Sequence, residues 1–222
     1  MEYYTLIIFF RFFLRYIIMC TSAEKIKAFV IDWLLSQYEG IIIGNEVMYG
    51  SSRKVVDLLA IVDNKTIAIE IKSAADKLSR LPEQIAEYNK VFDKVMVIAA
   101  APHIEDILRI LPKGTGLYSL ENEKISKIAQ MLVNHNQDKL ELLNSISSAY
   151  LKKLYPQYRD FNANKIRLLL SKKKKADIQQ LLVTFYQQRI SEKFQLFLND
   201  RGTQTLVDDI PTLSTFTLID QF

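Results

Sequence analysis

The sequence predicts an α/β fold: an αβββαβ core with a mixed sheet, followed by a C-terminal helical region. Three observations lead there. Apolar residues recur at three- and four-residue spacing in two early segments. Between and after those segments lie short apolar runs bounded by turn residues, as strands require. From about residue 122 the helical spacing returns and persists.

In order, Ser22 to Tyr38 places Ile26, Phe29, Val30, Trp33 and Leu34 on one face of a helix that closes near Gly40. Ile41 to Tyr49 is a strand ending at Gly50-Ser51-Ser52. Val55 to Val62 and Thr66 to Lys72 are strands joined through Asp63-Asn64-Lys65, a hairpin. Leu78 to Phe92 has helical periodicity, and Val95 to Ala101 is a buried strand. A short helix (Ile104 to Leu111), a turn at Pro112-Lys113-Gly114 and a brief strand (Leu117 to Leu120) follow. Helices are then expected at 122–134, 138–154, 162–171 and 175–198, and the tail from Gly202 to Phe222 reads as a loosely docked extension. The expected division is an apolar N-terminal extension (1–20), a core domain (21–120) and a helical accessory region (121–222).

The apolar content of 49% among 222 residues supports a sizeable core. One cysteine, Cys20, excludes an internal disulfide and a thiolate metal site. His103 and His135 have no zinc-ligand spacing. A reducing cytoplasm fits these facts. The opening MEYYTLIIFFRFFLRYII is interrupted by Arg11 and Arg15. Each charge costs about 2.5–3.5 kcal/mol at the centre of a span, so stable membrane insertion is not expected. Met19 is the more natural start, with Thr21 or Ser22 capping the first helix; a membrane-surface helix is the alternative.

The net charge of +4 is unevenly placed. Residues 1–120 hold 14 basic and 14 acidic side chains, whereas 145–198 hold 11 basic and 3 acidic. A basic helical half suits a polyanion, with a solvated helical surface or a protein partner as the competing readings.

The chemistry concentrates in VVDLLAIVDNKTIAIEIKS. Strand residues two apart face the same way, so Glu70 and Lys72 share a face, and the hairpin brings Asp57 alongside Glu70. Carboxylate oxygens suit Mg²⁺, which shares its remaining positions with water and substrate phosphates. An ammonium beside them suits a developing phosphorane charge. On the next helix Gln84 and Tyr88 are four apart and stack on one face, where an amide and a phenol can meet a phosphate or a water.

With V-V-D-L-L-A-I, E-I-K and Q-I-A-E-Y in this order, residues 22–101 resemble the PD-(D/E)xK nuclease superfamily, notably small bacterial and phage-associated members with a QxxxY motif. The resemblance implies a restriction-endonuclease-like core and a Mg²⁺- or Mn²⁺-dependent deoxyribonuclease. It implies Asp57 and Glu70 as metal ligands, joined by the Ile71 carbonyl, with Lys72 positioning the water and Gln84 and Tyr88 completing the site. The further acidic residue it calls for is assigned to Glu46, ahead of Glu24 and Glu39. It departs at Val55, where relatives carry arginine, leaving Arg53 and Lys54 as the nearby bases. Arg80 is a candidate phosphate contact, while Asp76 or Ser79 reads as a helix cap. The run Lys172, Lys173, Lys174 and Lys175 is expected to track a DNA backbone. The alternative function is a catalytically silent nucleic-acid-binding or protein-interaction module of a mobile element or phage-defence system. Its helical half would serve a homodimer or another partner.

Overall fold

A computed structural model describes residues 23–215. The N-terminal extension and its expected cap at Thr21 or Ser22 lie outside the described residues. Helix α1 (Ala23–Gln37) buries Ile26, Val30, Ile31 and Leu34. Gly40, at φ 67°, turns the chain into β1 (Ile42–Tyr49). Strands β2 (Lys54–Val62) and β3 (Lys65–Lys72) complete an antiparallel meander. The β2–β3 turn is Asp63-Asn64, both with positive φ, the requirement of a two-residue hairpin.

A single 3₁₀ turn (Leu78–Arg80) precedes α2 (Leu81–Asn89), which returns the chain so that β4 (Lys94–Ala100) runs parallel to β3. Helix α3 (Ile104–Ile110) leads to β5 (Gly116–Glu121), parallel to β4. The helix expected at 122–134 is instead a second hairpin. Asn122 and Glu123 both adopt positive φ, and β6 (Lys124–Ala129) pairs antiparallel with β5. Ile125 and Ile128, three apart, imitate a helical face, and a turn without glycine hides the strand that follows. The result is one six-stranded mixed sheet in the order β1-β2-β3-β4-β5-β6, which extends past residue 120.

The helix expected at 138–154 is broken in two. Asp138 caps α4 (Lys139–Asn144) through the Leu140 and Glu141 amides. Ser147 then turns extended and caps α5 (Ser148–Leu154) by accepting from the Tyr150 amide. Helices α6 (Ala163–Leu170) and α7 (Lys175–Asp200) fall where the periodicity places them. The tail as far as residue 215 is docked rather than loose. Ile210 and Leu213 are buried, and Asp32 of α1 accepts from the Arg201 guanidinium (2.6 Å), the Thr205 amide (2.9 Å) and the Thr205 hydroxyl (2.6 Å).

Both faces of the sheet are covered. One cluster joins Ala68, Val97 and Tyr49 to Leu81, Ile85 and Phe92 around α2 and to Leu182 and Tyr186 of α7. The other joins Ile43, Leu58, Ile69 and Ile98 to α1 and to Phe194 and Phe197 near the end of α7. Among the described residues no helix is long and apolar enough to cross a membrane.

Candidate active site

Two strands lose their alternation at the same row of the sheet. Ile43 packs on the α1 side, yet Val47, four residues on, packs on the α2 side; Val56 and Leu58 are likewise on opposite sides. Regular pleating would put each pair on one face. The reversals fall at Glu46, whose φ of 51° is left-handed, and at Asp57. The register brackets these two residues opposite one another, between Asn45↔Leu58 and Val47↔Val56. On the other side, Leu58↔Ile69 continues to place Asp57 opposite Glu70. At this row the Asp57 side chain takes over from the backbone: its Oδ2 accepts from the Ile71 amide at 2.9 Å.

Glu70 is 1% exposed and holds three donors. Its Oε1 accepts from Lys72 Nζ (2.7 Å) and from Gln84 Nε2 (2.6 Å), and its Oε2 accepts from the Tyr88 hydroxyl. Lys72 Nζ also donates to Gln84 Oε1 at 3.1 Å. Strand alternation places Glu70 and Lys72 on the α2 side, and the four-residue spacing of Gln84 and Tyr88 brings both polar heads down onto that face. Thus Asp57, Glu70, Lys72, Gln84 and Tyr88 do converge. Gln84 and Tyr88, however, spend their hydrogen bonds within the site, on Glu70 and, for Gln84, on Lys72 as well. Below them Tyr49, Tyr88 and Phe92 form an aromatic cluster with centroid separations of 5.2–5.9 Å.

The charges strain against burial. Desolvation, and then the Glu70 carboxylate, push Asp57 up to about 6; the Ile71 amide, Lys27 and Lys72 act the other way. Burial and the Glu70 charge also hold the Tyr88 phenol protonated far above its ordinary range.

Several expected residues stand elsewhere. Glu46 keeps its place in the row, but its carboxylate meets Lys27 of α1 at 3.6 Å and its side chain is 54% exposed. Among the described residues no three His, Cys, Asp or Glu side chains gather closely enough to hold a metal ion together, and the Glu46 carboxylate stands apart from Asp57 and Glu70 in this structure. Lys54 is paired with Glu83 of α2 at 2.5 Å. Asp76 does not cap a helix; it accepts from the Ser73 amide and hydroxyl, closing the turn after β3. Ser79 lies inside the 3₁₀ turn, and α2 begins without a side-chain cap. Arg80 is exposed at the start of α2, and Arg53 is exposed in the β1–β2 turn.

The lysine run lies at the other end of the sheet. Lys175 Nζ donates to the His135 carbonyl (2.8 Å), and one turn on, Gln179 reaches Asp93 at the start of β4. Asp93 in turn accepts from the amide and hydroxyl of Thr66, at the beginning of β3. From Thr66 to Lys72 the strand covers about 20 Å. Lys172 to Lys174 are exposed there, away from the carboxylate row.

Sequence reasoning missed Lys27. On a helical face beside Ile26 it reads as a solvated lysine, but its ammonium donates to Asn45 Oδ1 (2.9 Å) and supports the Asp57 charge. It also missed the buried Asp93, which ties β3, β4 and α7 together.

Residues 20–214 match the family described as Bacteriophage P4 protein cII. The chain belongs to that family. The match runs through sheet and helices alike. Protein cII of Enterobacteria phage P4 is 25% identical over 205 residues, covering 86% of this chain and 77% of that protein. Among solved structures, a protein of unknown function from Silicibacter pomeroyi is similar over 74% of this chain and 85% of its own, with a TM-score of 0.40 and 12% identity.

Proposed function

We propose that this cII-family protein is a metal-dependent phosphodiester hydrolase of the PD-(D/E)xK type, acting on DNA. The observation that carries the reading is the Asp57–Glu70–Lys72 row at a strand break, closed over by Gln84 and Tyr88. The succession α1-β1-β2-β3-α2-β4, with β3 parallel to β4, supports a restriction-endonuclease-like core.

The donor set fits Mg²⁺ or Mn²⁺. Two adjacent carboxylates, one of which is hard to ionise beside the other, are relieved by a divalent cation. Mg²⁺ commonly takes only one or two protein carboxylates and fills its remaining positions with water and substrate phosphate oxygens, so two suffice. When bound, the cation supplies Lewis-acid polarisation of the phosphate and acidifies an attacking water. Asp57 is held in place by the Ile71 amide, and Glu70 is oriented by Gln84 and Tyr88. Lys72, whose ammonium lies beside Glu70, would orient the attacking water and offset charge developing on the phosphate.

The completeness of the Glu70 network favours a second reading, a silent module in which the four residues are a buried structural clasp. One experiment separates the two. Supercoiled, linear and single-stranded DNA are incubated with purified protein in Mg²⁺, Mn²⁺ or chelator, beside Asp57→Asn and Lys72→Ala. Cleavage by the wild type alone, abolished by chelator, supports the hydrolase. Identical product patterns for wild type and both variants under every condition reject it.

A further inference from the structure

Beside the carboxylate row is a cleft that the proposed hydrolase does not use. It has a volume of about 380 Å³ and lies between the end of β1, the α4–α5 junction, α6 and α7. Its walls carry three arginines, Arg53, Arg167 and Arg189, each from a different element, and no acidic residue. Ser145, Ser147 and Ser148 from the α4–α5 junction add hydroxyls.

The three cations are not there to satisfy one another. Arg167 is half-buried and fixed: its Nε donates to the Leu143 carbonyl and its NH2 to the Ile146 carbonyl, both at 3.1 Å. It is pinned to two neutral carbonyls, so its charge has no carboxylate partner among the described residues. Burial, and then the nearby Arg53, weaken its hold on its proton. Arg53 is held at the cleft mouth by a left-handed φ of 52°, which a non-glycine residue adopts at a cost. Glu141, which lies beside Gly50 of the cleft wall, is engaged by the amide and hydroxyl of Ser51, both at 2.8 Å. Like charges gathered without a counter-charge cost free energy unless an anion completes them.

We infer that this cleft binds a phosphate group, gripped by Arg53, Arg167 and Arg189, of a nucleotide or of a nucleic-acid 5′ end. Arginine forks match phosphate oxygens in pairs, and the volume suits a nucleotide better than a bare ion. Tyr49 is shared with the carboxylate row, since it lines the cleft and its ring lies 5.4 Å from that of Tyr88. The inference does not depend on hydrolysis, and its test is run in chelator, where the proposed nuclease is silent.

The full chain is titrated with ADP, and with a short 3′-labelled single-stranded oligonucleotide carrying either a 5′-phosphate or a 5′-hydroxyl. Arg53→Ala/Arg189→Ala changes only exposed side chains and relieves like-charge repulsion, so thermal melting should be at or above that of wild type; Arg189→Lys tests charge against fork geometry. Losing two charge-assisted contacts is expected to weaken binding by at least about tenfold, with Arg189→Lys intermediate. Binding of ADP identifies a free nucleotide, and preference for the 5′-phosphorylated strand identifies a strand end; either supports the cleft. No binding of any probe, equal binding of the two oligonucleotides without ADP binding, or binding untouched by the double substitution overturns it.

Discussion

Replacing Asp57 by asparagine should make the cation-free protein more stable at neutral pH, not less. Folding raises the carboxyl from its usual 3.8 to about 6. A folded-state pKa above the unfolded one means that the native state keeps the proton longer. Stability is therefore lost as pH rises from about 4 to about 6, and the full penalty persists above that window. At 1.36 kcal/mol per unit, the ionised carboxylate costs the fold at most about 3 kcal/mol. That figure is already net of the Ile71 amide, Lys27 and Lys72; asparagine keeps an oxygen for the Ile71 amide but must desolvate an NH₂ group, so a net gain of about 1–2 kcal/mol is expected. For a chain of this size that is a rise of roughly 2–8 °C in Tm.

The assay is paired thermal and urea unfolding of wild type and Asp57→Asn in chelator from pH 4 to pH 8. The variant's advantage should be near zero at pH 4, grow to pH 6 and level off. Adding Mg²⁺ should then raise the wild-type Tm by mass action and leave the variant unmoved. A variant less stable than wild type by the same margin at every pH would refute the reasoning. Asp57 would then be no more than a cap for the Ile71 amide.

Three further outcomes follow from the same geometry. Tyr88→Phe removes a buried donor from Glu70 and should cost about 1–3 kcal/mol in urea unfolding, with loss of hydrolysis. Asp93→Ala strips the Thr66 amide and hydroxyl of their acceptor and should destabilise by on the order of 3 kcal/mol, while leaving the Mg²⁺-dependent Tm shift intact because it lies at the far end of β3. Changing Lys172, Lys173 and Lys174 to alanine should leave turnover of a short oligonucleotide unchanged and flatten the salt dependence of binding to long DNA; a turnover loss above about tenfold would place the run at the site after all.

What the sequence disclosed depended on whether a local pattern had one physical meaning. Asp63-Asn64 between two apolar runs admits little but a hairpin, and that hairpin put Asp57 beside Glu70. Glu70 and Lys72, two apart in a strand, had to share a face, and Gln84 and Tyr88, four apart in a helix, had to stack. These are short-range geometric necessities. Ile125 and Ile128 had no such uniqueness: three-residue spacing serves a frayed edge strand as well as a helix, and the Asn122-Glu123 turn carries no glycine to arbitrate. Asp93, Lys27 and Asp32 take their partners from across the fold, at separations no local window spans.

Glu46 shows how a correct register can still leave a side chain turned away from its row. Pairing does place it in line with Asp57 and Glu70, as a strand-by-strand reading anticipates. Its left-handed φ then breaks the pleat, turns the strand over, and delivers Val47 and Tyr49 to the opposite core while its own carboxylate goes to Lys27. Pairing lapses at Asp57 too, and the β2–β3 ladder stops at Leu58↔Ile69, which leaves the Ile71 amide to the Asp57 side chain. Glu46→Val puts a β-branched side chain at this left-handed φ, so urea unfolding should show a loss of about 1–3 kcal/mol.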